Sequence, residues 1–398
     1  MLSVADATRT VLERVPRLVA EDVPLDRARG RILAAEIVSA RALPGFDNSA
    51  MDGYAARSSE LPATLPVGGV IAAGAVHAEP VAERTAMRIF TGAPMPAELD
   101  TVVIQEDATI DGEQVALPAS APGDNVRRLG EDIAVGEIVL TSGTRLTPWH
   151  LGVLAALGVT TVSVSRAPRV ALIATGDELV DAGTDPGPGQ LVDSSAHTLV
   201  ALVEEAGGIA HRVGIARDDV SALADLIAAA LGYDAVITTG GVSVGDRDHV
   251  RAALAAVGVE LELYKVAMKP GKPFSFGLRQ DERKTPVFGL PGNPVSTVVA
   301  FELFIRPALL TMQGATVVER PRAPVQLVRG YRKPAGRAHY IRANVVRNGE
   351  YLIAHPHPKQ GSAMLSSLVG CNALVELPAE QTELLPGSSA PALLLEAV

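Results

Sequence analysis

Between residues 169 and 310, strand-length apolar runs alternate with helix-period segments, and few folds accommodate that alternation. Residues 170–174, 235–239, 261–266 and 286–290 read as strands, each a short run rich in β-branched or other apolar residues. Residues 197–206 set Leu199, Leu202 and Val203 on one helical face and stop at Gly207-Gly208. Residues 221–231 repeat the pattern with Leu223, Leu226, Ile227 and Ala230, and helices are also expected over 248–257 and 295–310. Strands that alternate with helices build a parallel sheet covered on both faces. Ligands of such sheets bind beyond the carboxyl ends of the strands.

Three loops of this segment fall at strand ends and carry the chemistry. The first reads Thr238-Thr239-Gly240-Gly241-Val242-Ser243-Val244-Gly245-Asp246-Arg247-Asp248. Its paired glycines allow a turn that exposes consecutive N–H groups as an anion nest, with the Ser243 hydroxyl as a further donor. A tight β–α turn needs the same glycines. Asp248 is open to two readings, a helix cap or a Mg²⁺ ligand beside a phosphate. The second loop, Met268-Lys269-Pro270-Gly271-Lys272-Pro273, sets two lysines in a stiff frame that lowers the entropy cost of holding them on a ligand. The third, Leu290-Pro291-Gly292-Asn293-Pro294-Val295-Ser296, is a helix start with an Asn cap and proline at the first helical position. It brings the Ser296 hydroxyl and free N–H groups to a positive dipole end. Together the loops suit a ligand with several anionic oxygens.

A fourth strand end carries Thr175-Gly176-Asp177-Glu178-Leu179. Adjacent carboxylates there are costly unless a cation or water satisfies them, so Glu178 reads as a catalytic or Mg²⁺ group, or as a solvated turn residue. Walker-type and Gly-x-Gly-x-x-Gly loops are both absent from the sequence, which removes support for P-loop hydrolysis and Rossmann-type NAD binding.

The flanking regions have another texture. Short strands broken by Gly and Pro are expected at 67–72, 87–90, 101–105, 114–117 and 137–140, and again at 325–329, 340–345, 351–354, 372–376 and 392–396. Pro321 and Pro324 mark the expected hinge before the second set. An N-terminal helix with Val4, Ala7, Val11, Leu12 and Val15 in phase is kinked or ended by Pro16, and 151–157 is a short helix ending at Gly158. Two blocks here are regular without being legible from residue type: Asn48-Ser49-Ala50-Met51-Asp52-Gly53-Tyr54-Ala55 and Thr91-Gly92-Ala93-Pro94-Met95-Pro96. Asp52 reads as a turn residue or as an acid reaching a site in a neighbouring subunit, and Thr91 as a ligand-binding hydroxyl. Gly130-Glu131-Asp132-Ile133 adds two carboxylates, and His355-Pro356-His357-Pro358 reads as structural.

At 398 residues the chain exceeds one ordinary core. Its net charge of −10 argues against a general nucleic-acid binder, so lysines gathered in an acidic protein point to a small anionic ligand. The lone Cys371 excludes an internal disulfide and a multi-thiolate zinc site. The start of the chain lacks a secretory pattern, and no uninterrupted run reaches about 18 apolar residues. The expectation is a cytoplasmic protein with neither a membrane nor a nucleic-acid partner.

Taken in order, these blocks, with Gln360-Gly361-Ser362 near the end, resemble the molybdopterin molybdenumtransferases, the MoeA type that also forms the C-terminal domain of gephyrin. The resemblance covers essentially the whole chain. It implies an α/β multidomain fold: a helix over 1–26 packing on the α/β domain, a linker domain over 27–47 and 141–168, and an inserted β domain over 48–140. The α/β molybdopterin-binding domain would span 169–318 and a C-terminal β barrel 319–398. The implied reaction inserts molybdate into adenylylated molybdopterin and releases AMP with Mg²⁺, the last step of molybdenum cofactor synthesis.

In that scheme Gly240, Gly241, Ser243 and the Asp248–Mg²⁺ pair hold the pyrophosphate, and Glu178 also serves the metal. Lys269, Lys272 and Ser296, with Arg342 and Ser362 from the C-terminal domain, gather molybdate and pterin; Arg337 is the alternative to Arg342. Thr91, Thr175, Pro291, Asn293 and Pro294 join the substrate-binding set. Asp52 comes from the partner subunit of a homodimer whose active site lies near the interface, and an adenylyltransferase is an implied partner. Ser195 stands where many relatives carry Asn, and if that Asn touches the substrate the contact is weakened or replaced here. Two other functions compete: the adenylyltransferase itself, which shares the α/β domain, and a scaffold that no longer catalyses.

Overall fold

The computed structural model describes residues 1–217, 219–241 and 249–398. Ser243 and Asp248 lie outside the described residues.

The central sheet has six strands in the order Ile209–Ala216, Arg169–Thr175, Ala235–Thr239, Pro286–Leu290, Ser275–Arg279, Val259–Tyr264. The first four are mutually parallel. Ser275–Arg279 runs antiparallel to both of its neighbours, which corrects the expectation of a wholly parallel sheet. The connections explain this: the chain reaches that strand through the lysine loop and leaves it through a short turn at Asp281. A parallel return would need a crossover of about a dozen residues or more.

Alternation along each buried strand feeds two cores. Val170, Leu172, Ala235, Ile237 and Phe288 face a cluster with Phe304, Val299 and, from the N-terminal helix Val4–Arg14, Ala7 and Val11. Ala171, Ile173, Val236 and Val287 face Leu223, Ile227, Val250 and Leu254 on the other side. The N-terminal helix therefore packs on the α/β domain, and it ends before Pro16. The expected helix over 295–310 is longer and interrupted: Pro294–Ala300, a π turn Phe301–Ile305, then Arg306–Met312. By length and composition Pro294–Met312 would suffice to cross a membrane, but 94% of its apolar window is buried within the protein, as in a core helix.

Ala20–Pro24 pairs with Thr161–Ser165, and Ala28, Leu33, Leu146, Leu154, Val162 and Val164 fill a small linker core. Strand 20–24 thus belongs to the linker body, not to the helical segment assigned from sequence. The inserted module is a six-stranded sheet ordered Thr101–Ile104, Gly53–Ala56, Ala86–Ile89, Ala63–Ile71, Gln114–Leu117, Thr109–Asp111. Gly53 is required there, since a Cβ would fall 2.1 Å from the Val103 carbonyl oxygen.

In the C-terminal region Ala338–Asn348, Tyr351–Pro356, Arg322–Leu327, Ser389–Leu394 and Ala373–Leu377 pair in turn, and the last returns to the first to close a barrel. Pro324 sits inside this barrel, paired with Pro391, so the expected proline hinge is part of the wall. One short strand of the α/β domain, Met268–Lys269, pairs in parallel with Ala338 and His339 at the barrel edge. That seam fixes the lysine loop between the two domains.

Candidate functional site

The strand-end turns converge. Gly240 has φ +87° and Gly241 φ +66°, a region where side chains are strained. The Gly240 N–H donates to the Leu290 carbonyl at 3.0 Å, tying the first loop to the third. A Cβ at Gly240 would lie 2.4 Å from the Thr175 carbonyl oxygen, and one at Gly292 would lie 3.5 Å from the Gly240 Cα. Thr175, buried at the end of its own strand, donates its hydroxyl to the Thr239 carbonyl at 3.1 Å. Thr175, Gly240, Gly241, Pro291 and Gly292 therefore occupy one edge of the sheet.

Asn293 caps the long helix without a side-chain hydrogen bond, and Pro294 takes the first helical position. The exposed Asn293 amide is thus available at the positive end of the dipole. Thr297 donates its hydroxyl to the Pro291 carbonyl at 2.8 Å and fixes the turn, while Ser296 is buried beneath it. A Cβ at Gly271 would lie 3.7 Å from the Ser296 carbonyl oxygen, so the lysine loop rests on the same helix start. The Val295 N–H donates to the Ser362 carbonyl at 3.2 Å, which brings the barrel loop onto it as well.

Lys269 is exposed and Lys272 half-buried. Around them the barrel adds cations: burial first, then Lys269, Lys333 and Arg337, push the His339 imidazole down to about 4. Among the described residues, Lys269, Lys272, Lys333, Arg337 and Arg342 have no carboxylate partner. In a chain of net charge −10, cations left unpaired at one seam mark an anion site. Sequence reading missed Lys333 and His339, because only the barrel register brings them beside Lys269.

Arg342 differs from expectation. It is fully buried; its Nε donates to Ser367 Oγ at 2.8 Å, and one terminal nitrogen donates to the carbonyls of Lys359 at 3.1 Å and Gly361 at 3.2 Å. The other terminal nitrogen is buried without a partner. Its register on the barrel strand turns it onto the backbone of the loop that carries Ser362, so it holds that loop while Arg337 stays partly exposed.

Glu178 is exposed on the turn after Arg169–Thr175, and its carboxylate folds back to 2.7 Å from where a Gly176 Cβ would stand. The described residues hold no group of three or more His, Cys, Asp or Glu that would cage a metal. Mg²⁺ does not need one, since it binds through one or two carboxylates together with substrate phosphates and water. The exposed Glu178 carboxylate supplies a hard oxygen donor of the kind that chemistry uses. Asp193 caps the next helix by accepting from the Ala196 N–H at 3.1 Å, and Ser195 is buried at its first turn.

Asp52 and Thr91, far apart in sequence, form a pair in the inserted sheet. The Asp52 carboxylate accepts from the Thr91 N–H at 2.7 Å and from its hydroxyl at 2.9 Å. These donors, the backbone N–H foremost, hold Asp52 below the usual carboxylate range, and Arg88 adds to the effect. Arg88 itself donates to the Gly53 carbonyl at 3.1 Å and lies over the rings of Tyr54 and Phe90.

Comparison with known proteins meets this geometry. Residues 2–158 match the MoeA N-terminal region (domain I and II), 171–311 a probable molybdopterin binding domain, and 324–395 the MoeA C-terminal region (domain IV). Molybdopterin molybdenumtransferase 2 of Mycobacterium tuberculosis is 36% identical, with 98% of each chain covered. The molybdopterin molybdenumtransferase of Haemophilus influenzae is also 36% identical, over 98% of this chain and 97% of that protein. The crystal structure of the molybdopterin biosynthesis moeA protein from Pyrococcus horikoshii OT3 superposes with a TM-score of 0.88 at 32% identity, covering 99% of this chain and 100% of that one. The chain belongs to the MoeA family of molybdopterin molybdenumtransferases.

Proposed function

We propose that this protein inserts molybdate into adenylylated molybdopterin and releases AMP, using Mg²⁺, as a homodimer in which Asp52 of one subunit serves the site of the other. The observation that carries the reading is the junction of three strand-end turns with a lysine loop whose cations lack carboxylate partners. The left-handed Gly240-Gly241 turn lets phosphoryl oxygens approach the backbone closely, and the Asn293 amide offers them a donor at the positive end of the helix. Lys269 and Lys272 offer fixed charge to a tetrahedral dianion, with Ser362 on the adjoining loop.

Each part of the chain then has a task. Gly240, Gly241 and the Pro291–Asn293 turn hold the anhydride at the sheet edge. The lysines neutralise oxygen charge as it develops and keep molybdate beside the phosphorus under attack, so that positioning supplies much of the acceleration. Arg342 secures the Ser362 loop against the helix start. Glu178 would hold Mg²⁺, which when bound supplies charge neutralisation at phosphoryl oxygens. Asp52, kept ionised by Thr91, is poised as an acceptor for a substrate donor or for the metal's water shell.

The test is a turnover assay on the purified protein with adenylylated molybdopterin and Mg²⁺. AMP release that requires molybdate is the expected result. Consumption of ATP with free molybdopterin would assign the preceding adenylyl transfer instead.

A further inference from the structure

His339 is placed by three independent features. Its backbone pairs in register with Lys269, its side chain is 4% exposed, and its Nδ1 lies 3.3 Å from the Tyr331 hydroxyl. Lys269 faces it from the short strand, Lys333 and Arg337 from the barrel's entry loop, and Leu377 is its partner across the barrel. Lys333 donates to the Ala379 carbonyl at 3.1 Å and feels the charge of Glu380. An imidazole among three cations stays neutral, and a neutral ring has one donor and one acceptor. The contact between Nδ1 and the Tyr331 hydroxyl suits donation in either direction, and in the protonated ring Nδ1 and Nε2 are both donors. Among the described residues Nε2 has no hydrogen-bond partner, which leaves that edge of the ring free to meet a ligand.

We propose that His339 is a further oxyanion-binding residue, whose Nε2–H donates to the dianion held by Lys269 and Lys272 and which takes up a proton when that dianion arrives. The inference rests on the reading of the lysine loop as the molybdate site. The cations that suppress protonation of the ring are the ones a dianion would neutralise, so ligand and proton favour each other's binding. By the linkage sign, a ring whose midpoint is raised in the complex makes oxyanion binding tighter as pH falls through that raised value. The Tyr331 phenol, which burial shifts up, stays protonated throughout and does not compete for the effect.

The experiment follows the His339 ring by NMR in the full-length protein, with His339→Gln assigning the signal, in the absence and presence of sodium molybdate. Sodium sulfate serves as a second tetrahedral dianion that keeps both charges well below neutral pH. An upward move of the ring midpoint by at least about 1 unit in either salt supports the proposal. So does about tenfold weaker sulfate binding by His339→Leu with an unchanged thermal midpoint, the loss of one hydrogen bond. Oxyanion binding that depends on Lys272 but leaves the ring midpoint unmoved, or that His339→Leu retains in full, overturns the role of His339 alone. Failure of the wild-type protein to bind either oxyanion would bring down the lysine-loop reading itself, and this proposal with it.

Discussion

Gly240→Ala tests whether the turn after Ala235–Thr239 is as constrained as the geometry implies. Two effects add. At φ +87° an L-residue sits in the left-handed region, at a cost of roughly 1–2 kcal/mol. The new methyl would also stand 2.4 Å from the Thr175 carbonyl oxygen and 2.7 Å from its hydroxyl, and both are fixed: the carbonyl is backbone and the hydroxyl is bonded to Thr239. Forcing such a contact apart costs about 1–3 kcal/mol more, for a total of about 2–5 kcal/mol. Gly292→Ala is the control, because its methyl meets nothing closer than the Gly240 Cα at 3.5 Å and its stability change should stay within about 0.5 kcal/mol. Several domains make a single unfolding midpoint ambiguous, so the assay is native-state hydrogen exchange of the Ala235–Thr239 amides under mild denaturant. Gly292→Ala should keep wild-type protection while losing AMP release, since its methyl faces the anion turn. Protection in Gly240→Ala within about 0.5 kcal/mol of wild type would refute the reasoning.

Other outcomes follow from the same geometry. Lys269→Met and Lys272→Met should each lower molybdate-dependent AMP release by about a hundredfold or more while leaving the thermal midpoint in place, since neither lysine has a carboxylate partner. Weakened AMP binding by the same variants would place them on the nucleotide instead. Mixing Asp52→Ala with Lys272→Met subunits should restore part of the activity that each lacks alone, if Asp52 serves the partner's site; mixtures as inactive as either parent would return Asp52 to its own chain. For Asp234, burial pushes the carboxyl up, but Arg166 and the Arg169 N–H outweigh it and hold it below the usual range. A depressed folded value contributes stability above the unfolded pKa of about 3.9 and loses it as pH falls through the folded value. Asp234→Asn should therefore cost about 2 kcal/mol at neutral pH, with the gap to wild type closing in acid, and a gap constant with pH would contradict this.

What was legible in the sequence was what local chemistry decides. The strands Ala235–Thr239 and Pro286–Leu290 are bounded by Gly-Gly and Pro-Gly turns and emerged at the expected residues. The Asn293-Pro294 helix start is similarly self-contained. The strand Gly53–Ala56 escaped notice because Gly-Tyr-Ala-Ala carries little β propensity, and its place between two neighbours comes from the sheet around it. Ile209–Ala216 was hidden by His211, Arg212 and Gly214, which an edge strand tolerates. The reversal of Ser275–Arg279 follows from connection lengths that periodicity does not measure. In the site, the turn glycines and lysines announced themselves, whereas the Asp52–Thr91 pair and the Lys269–His339 register exist only after folding. Arg342, taken by resemblance as a ligand with Arg337 as the alternative, lies buried with its Nε on Ser367, a placement that no spacing in the sequence shows.

The most direct measurement is a crystal of the protein soaked with molybdate and AMP, with data collected at the molybdenum absorption edge. The account predicts one anomalous peak between Lys269, Lys272 and the Ser362 loop, with the AMP phosphate at the Gly240-Gly241 turn. Molybdenum bound on another face of the chain, or AMP away from that turn, would contradict it.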